Sequence, residues 1–282
     1  MTLQESIKYI KKMLSGKYPG NEINSFVKII FCHLLSFSAV DIHLNRKLTL
    51  TKGQDNKVKS IVSRLAKYEP IQYIIGETTF YDLSLLVEPG VLIPRPETEE
   101  LVDWIIKDWK DKEPEVLDIG TGSGCIALAL SLGLPRGKIH AMDNSSKAIE
   151  IAGENNHSLD AGVNFFLADI FSAILLDTRF DIIVSNPPYV LESQKKEMHE
   201  NVLVHEPGEA LFVADNNPLI YYTAIADFAK KNLKNNGCLY FEINESLGKE
   251  IVQLLATKGF KNIILKKDIN NKDRMVRGWV DQ

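Results

Sequence analysis

The chain has 282 residues, enough for one large α/β domain, a smaller companion and a sizeable core. With 33 Lys and Arg against 37 Asp and Glu, a net charge of -4 and 45% hydrophobic residues, it excludes a disordered chain and a globally basic nucleic-acid binder, although a local basic groove stays open. Its three cysteines, Cys32, Cys125 and Cys238, are far apart and form no C-x-x-C, and its six histidines show no ligand spacing, so neither a disulfide framework nor a metal site is expected.

The N-terminal MTLQESIKYIKKML is charged and amphipathic and lacks the apolar core of a signal peptide, and no apolar stretch is long enough to span a bilayer. A cytoplasmic protein without membrane contact is expected. From residue 3 to about residue 70 the pattern is helical: Phe26, Ile29, Ile30 and His33–Leu34 mark one apolar face. Val58, Ile61, Val62 and Leu65 mark another, with Asp55 or Asn56 ahead of them as N-caps. This predicts a small all-helical domain over 1–75, serving either folding or partner recognition.

In EPIQYIIGETTFYDLSLLVEPGVLIPRPETEELV, β-rich pieces at Thr79–Tyr81 and Leu83–Val87 are punctuated by Gly76, Pro89-Gly90, Pro94 and Pro96, which predicts a hairpin linker over 76–96. Pro96 and the acids Glu97, Glu99 and Glu100 then open a helix running to about Trp109, with negative charge at its positive end. Arg95, a cation on a stiff segment, and Glu97 are expected as cleft or structural residues.

Beyond residue 114, β-rich runs alternate with helical segments. Strands are expected at Glu115–Ile119, Lys138–Asp143, Val163–Ala168, Phe180–Ser185, Cys238–Ile243, Phe260–Leu265 and Met275–Val280. The alternation predicts an α/β fold over 97–282, a doubly wound, seven-stranded and mostly parallel sheet whose ligands lie outside the carboxyl ends of the strands.

The first of these strands runs through Asp118-Ile119 into Gly120-Thr121-Gly122-Ser123-Gly124 and then into a helix. The glycines permit a sharp turn and close approach to a ligand. A dinucleotide fingerprint would want a glycine where Cys125 stands, so the loop speaks against NAD and for a nucleoside bearing an amino-acid tail, as in S-adenosyl-L-methionine (SAM) enzymes. Asp143 ends the second strand, where a carboxylate accepts hydrogen bonds from both ribose hydroxyls or caps the next helix. After the third strand, Asp169 suits the exocyclic amine of adenine and Ile170 the ring face, with capping and core packing as the alternative.

The fourth strand ends in Asn186-Pro187-Pro188-Tyr189. Each residue before a proline is driven toward extended backbone, and the proline rings fix φ, so the corner is stiff. Prolines carry no N–H, so the corner offers carbonyl acceptors without competing donors, and the Asn186 side-chain oxygen adds one more. A planar –NH₂ group would donate to Asn186 and to the Pro187 carbonyl while Tyr189 stacks on it. Such an amine is a weak nucleophile, and acceptors that stabilise positive charge on its nitrogen beside a methyl sulfonium address that weakness. Asn186, Pro187 and Tyr189 are the expected catalytic residues, and Pro188 joins them in holding substrate.

These motifs resemble the N-P-P-Y methyltransferases, and more narrowly the HemK/PrmC family. The narrow resemblance rests on residues 69–102, LDIGTGSGCIALAL (117–130), IVSNPPYV (183–190) and HEPGEALF (205–212). It implies methylation of the glutamine N5 in the Gly-Gly-Gln motif of class 1 peptide chain release factors, with SAM as donor and S-adenosyl-L-homocysteine as product. Gly120–Gly124, Asp143, Asp169, Ile170 and Asn186 would bind SAM, the helical domain would serve release-factor recognition, and His205 and Glu206 would join a substrate lid or a surface loop. Some relatives carry an aromatic residue where Ile170 stands. The resemblance requires no nucleic-acid partner, and a monomer would hold the whole site. The alternatives are an N6-adenine DNA or RNA methyltransferase, and a non-catalytic module that retains SAM.

Overall fold

The computed structural model describes residues 1–174 and 176–281, which divide into two compact units. The first takes Met1–Gly76 together with His199–His205. Its helices are α1 (Leu3–Leu14), α2 (Gly20–Leu35), α3 (Ala39–Leu44), α4 (Lys52–Leu65), α5 (Ile71–Ile75) and, from later in the chain, α9 (Glu200–His205). Capping boxes open α1, α3 and α4 at Thr2 with Glu5, Ser38 with Asp41, and Thr51 with Gln54. Each cap satisfies two backbone donors that no helical carbonyl can reach, a contribution of about 1 kcal/mol. For α4 this corrects the expected cap. The helix begins at Lys52, so Asp55 lies inside it and pairs with Lys59 at 2.8 Å. Leu3, Ile10, Leu14, Ile30, Phe31, Val58 and Leu65 meet at helical spacing in a buried core.

The second unit begins with an antiparallel hairpin, β1 (Glu77–Phe80) and β2 (Leu83–Leu86), followed by α6 (Pro96–Trp109). The hairpin is bound into the unit: Asn155 accepts the Leu86 amide at 2.6 Å and donates to its carbonyl, and Glu99 accepts the Tyr81 amide. There follow β3 (Glu115–Ile119), α7 (Cys125–Gly133), β4 (Lys138–Asp143), α8 (Ser146–Leu159), β5 (Asn164–Leu167) and β6 (Phe180–Ser185). After the short parallel pair β7 (Val190–Leu191) and β8 (Phe212–Val213) come α10 (Ile220–Asn232), β9 (Leu233–Glu242), α11 (Gly248–Thr257), β10 (Phe260–Lys267) and β11 (Asp273–Val280).

Seven strands form one sheet in the order β10-β11-β9-β6-β3-β4-β5. The pairs from β9 to β5 are parallel, and β11 is antiparallel to both its neighbours. This is the predicted α/β fold. Alternate residues of one strand feed opposite faces: Ile182, Val184, Cys238 and Tyr240 pack with α6 and α7, while Ile183, Leu239 and Phe241 pack with α10 and α11. The order reverses between β3 and β6, so their carboxyl ends open a crevice there. Among the described residues no helix is long and apolar enough to cross a membrane.

Candidate active site

The crevice is a cavity of about 920 Å³, open mouth included. Its floor is the turn after β3. Gly120, Gly122 and Gly124 adopt φ of 75°, 56° and 83°, backbone that L side chains rarely take. A Cβ at Gly120 or Gly122 would meet no atom within 4 Å, so these glycines leave the cradle clear, whereas at Gly124 it would press on Leu128, Phe165 and Ala152 at 3.1–3.2 Å. Gly120 and Gly122 therefore face the cavity and Gly124 lets α7 pack on the sheet. Thr121 and Ser123 are buried and do not line the cavity. Thr121 instead donates from its hydroxyl to Asp118 at 2.7 Å. Asp118 is fully buried, and burial pushes its carboxyl up to about 7, reinforced by the nearby Asp143 charge and opposed by that hydrogen bond.

Asp143 reaches the cavity from the end of β4. Its Oδ2 accepts the Gly122 amide and its Oδ1 the Ser145 amide, both at 2.9 Å. The helix-capping role falls to Ser145, whose Oγ accepts the Ala148 amide. Burial raises the Asp143 carboxyl, against the pull of the Gly122, Ser145 and Asn144 amides. Asp169 and Ile170 line the next stretch of wall, and Asp169 Oδ1 accepts the Phe171 amide at 2.9 Å. Tyr221, on α10, also lines the cavity and packs against Phe171 at 5.1 Å between ring centroids. It brings an aromatic ring to the wall where Ile170 offers only an aliphatic cover. Nothing in the sequence pattern around Tyr221 singles it out from a core tyrosine.

Asn186, Pro187 and Pro188 close the cavity at the end of β6. A smaller cavity of about 290 Å³ adjoins, lined by Arg95, Tyr189, Val190 and Leu211 together with four residues common to both, Leu92, Asn186, Pro187 and Ala210. The two spaces therefore meet at the Asn-Pro corner. Asn186 donates from Nδ2 to Thr98 Oγ1 at 3.3 Å, and Thr98 donates to Glu242 Oε2 at 2.6 Å. Tyr189 donates its hydroxyl to Glu242 Oε1 at 3.0 Å, so that oxygen points at the buried acid and leaves the ring as wall. Burial, with the Glu242 charge adding to it, drives the Tyr189 hydroxyl far above its ordinary range, so it stays protonated. Sequence reasoning missed Thr98 and Glu242. The available signal was a carboxylate ending an otherwise apolar run, CLYFE, at the carboxyl end of a strand, where ligands gather.

Arg95 pairs with Glu206 at 2.6 Å, and Glu206 also accepts the Ile93 amide at 3.3 Å. The Glu206 side chain is only 1% exposed. Its chain neighbours Pro207, Glu209 and Ala210 line the large cavity, so this ion pair joins the segment before α6 to the segment that carries them. His205 belongs to the helical unit, where its Nε2 lies 3.4 Å from the Lys67 carbonyl oxygen.

The donor set fits an adenosine carrying an amino-acid tail. The glycine cradle is clear of side chains, and Asp143 retains lone pairs beyond the two amides it accepts. Among the described residues no three His, Cys, Asp or Glu side chains cluster so as to hold a metal ion.

The sheet order and the glycine crevice define the methyltransferase fold. A methyltransferase from Pyrococcus furiosus superposes with a TM-score of 0.52 at 15% identity, over 82% of this chain and 100% of that one. The 16S rRNA N2 G1207 methyltransferase of T. thermophilus, solved with AdoMet and guanosine, gives 0.53 at 17% identity over 72% of this chain and 49% of its own. The family models narrow this fold, since the methyltransferase small domain matches residues 98–216 and the PrmC N-terminal domain residues 5–76. Release factor glutamine methyltransferases from Bacteroides thetaiotaomicron and Flavobacterium psychrophilum are 45% and 46% identical to this chain over 95% and 94% of its length, and 96% and 94% of theirs. The chain belongs to the release factor glutamine methyltransferase family, HemK/PrmC.

Proposed function

We propose that the protein transfers a methyl group from S-adenosyl-L-methionine to the side-chain N5 of the glutamine in the Gly-Gly-Gln motif of class 1 peptide chain release factors, leaving S-adenosyl-L-homocysteine. Relatives that share 45% and 46% of its residues carry that name, and the observation that carries the reading is the meeting of two cavities at Asn186 and Pro187. The larger suits the methyl donor and the smaller a side-chain amide.

In this reading Gly120 and Gly122 admit the donor's backbone-hugging tail, with Thr121, Ser123 and Gly124 shaping the turn from behind. Asp143 takes the ribose hydroxyls, and Asp169, Ile170 and Tyr221 take the adenine. When bound, the donor supplies a methyl on a positively charged sulfur, which leaves as a neutral thioether. Asn186 Oδ1 and the Pro187 carbonyl accept the two amide protons and so orient the nitrogen lone pair toward that methyl. The new N–C bond uses this lone pair, and the electrons of the broken C–S bond stay on sulfur. Asn186 Oδ1 holds the acidified N–H until its proton passes to water. Pro188 and the Tyr189 ring wall the site.

The helical unit is assigned release-factor recognition. Between residues 1 and 76 Lys and Arg outnumber Asp and Glu by 12 to 5, which suits an acidic partner surface. The protein is taken as a cytoplasmic monomer.

The test is labelling with methyl-labelled SAM of three acceptors: a class 1 release factor, the same factor with its Gly-Gly-Gln glutamine changed to alanine, and an oligonucleotide. Label on the intact factor alone is expected. Label on the alanine factor or the oligonucleotide overturns the assignment, the latter in favour of adenine N6, and no label anywhere favours a module that only binds.

A further inference from the structure

The corner after β6 works only if Asn186 turns the correct end of its amide toward the cavity. An amide is nearly symmetric in shape, and its two ends exchange by rotation about one bond. With Oδ1 inward it accepts an N–H; with Nδ2 inward it opposes a substrate –NH₂ with two more donors.

We infer that Glu242, acting through Thr98, sets the polarity of the Asn186 amide and is a positioning residue for methyl transfer. The carboxylate ends β9, the strand beside β6, and both of its oxygens are committed. Oε2 accepts the Thr98 hydroxyl at 2.6 Å and Oε1 accepts the Tyr189 hydroxyl at 3.0 Å. A carboxylate only accepts, so the single Thr98 proton is spent on Glu242, and the Thr98 oxygen can then only accept in turn. It does so from Asn186 Nδ2 at 3.3 Å, which leaves Oδ1 for the cavity. Each link dictates the direction of the next. Thr98 is 2% exposed and Glu242 1%, so water cannot substitute at either point. A buried carboxylate is costly compared with an apolar residue of its size. Its two hydroxyl partners offset part of that cost, and the fixed proton direction gives a reason for keeping it. Burial raises the Glu242 carboxyl above its ordinary range, whereas the two donated hydroxyls of Thr98 and Tyr189 and the Arg274 charge favour the ionised form, with Glu97 opposing them.

The competing reading is that Glu242 and Thr98 only knit α6 to the sheet. Two pairs at position 98 separate the readings, because each differs in the hydroxyl alone: Thr against Thr98→Val with the methyl present, and Thr98→Ser against Thr98→Ala with it absent. The measurement rests on the function proposed above, so it has two readouts. In kinetics on a release factor, Thr98→Val and Thr98→Ala should lose roughly tenfold or more in kcat with little change in KM, while Thr98→Ser keeps most of it, and in an Asn186→Ala background the same changes should have no further effect. In NMR of the protein alone, hydrogen exchange of the Asn186 side-chain NH₂ should be slow with Thr or Ser and fast with Val or Ala. SAM affinity by calorimetry should hold in all four. Val as active as Thr, Ser as poor as Ala, or effects that add to Asn186→Ala overturn the relay. If the wild-type protein labels no release factor the functional reading fails, and the exchange rates still decide the relay by themselves.

Discussion

Asp143 holds the Gly122 amide at 2.9 Å, so the carboxylate that ends β4 fixes the middle of the glycine turn as well as facing the cavity. The donor site and its floor are therefore one unit, and damage to the acid reaches both. Asp143→Ala removes two acceptors for backbone amides and the proposed ribose acceptor together. SAM affinity should fall by about tenfold to a hundredfold, the scale of one to two charge-assisted hydrogen bonds, while kcat at saturating SAM changes far less. Calorimetric titration with SAM measures this, and an unaltered dissociation constant removes the ribose assignment.

Asp118 gives the site a pH signature. Its carboxyl moves from an ordinary 3.8 to about 7 in the fold, so the folded state favours the protonated form. The stability it contributes is fully present below about pH 4 and is lost as pH rises to about 7, where the buried acid ionises in the fold as well. Asp118→Asn does not titrate. The unfolding free energy of the variant relative to wild type, from urea unfolding at each pH, should rise steadily between about pH 4 and 7 and then level off, by a few kcal/mol at most. A difference that stays flat across this window sinks the assignment of a displaced carboxyl at position 118.

The strands, the glycine turn and the proline corner were legible because each is a contiguous run whose local chemistry dictates its shape. Gly120 and Gly122 need positive φ, and the prolines fix theirs. The partners of Asn186 were not legible in the same way. Thr98 is 88 residues away from Asn186 and 144 from Glu242, and only the sheet order brings α6 and β9 to the same strand end. Tyr221 was hidden for a similar reason, since two adjacent positions of α10 supply a core tyrosine, Tyr222, and a cavity tyrosine, Tyr221, that look alike in sequence. The cap of α4 differs in another way: Thr51 and Gln54 form its capping box, while Asp55 and Asn56, also residue types that cap helices, lie inside it.

Arg95 and Glu206 should prove unequal partners. Glu206 is almost wholly enclosed and Arg95 is about a third exposed, at 1% and 32% of their side-chain surfaces. Arg95→Ala leaves a buried carboxylate with only the Ile93 amide, whereas Glu206→Gln leaves a cation that can turn to water. The first should cost roughly 2 kcal/mol and the second under about 1, after allowing for the solvent that screens Arg95. Urea unfolding orders the two, and equal costs or the reverse order would show that the pair is a solvated contact.

Asn186→Ala tests the chemistry most directly, because the residue borders both cavities and its nitrogen is already taken by Thr98. The substitution removes the one side-chain acceptor at the corner while the proline backbone keeps the shape of the turn. A lone pair delocalised into an amide reacts slowly unless charge building on nitrogen is stabilised, and that stabilisation belongs to the transition state more than to the bound ground state. The loss should therefore appear in kcat, by roughly a hundredfold or more, with smaller changes in the KM of either substrate. Single-turnover methylation of a release factor separates the chemical step from product release. If the rate of that step is unchanged in Asn186→Ala, the acceptor role fails; if only KM rises, Asn186 binds the glutamine without assisting its reaction.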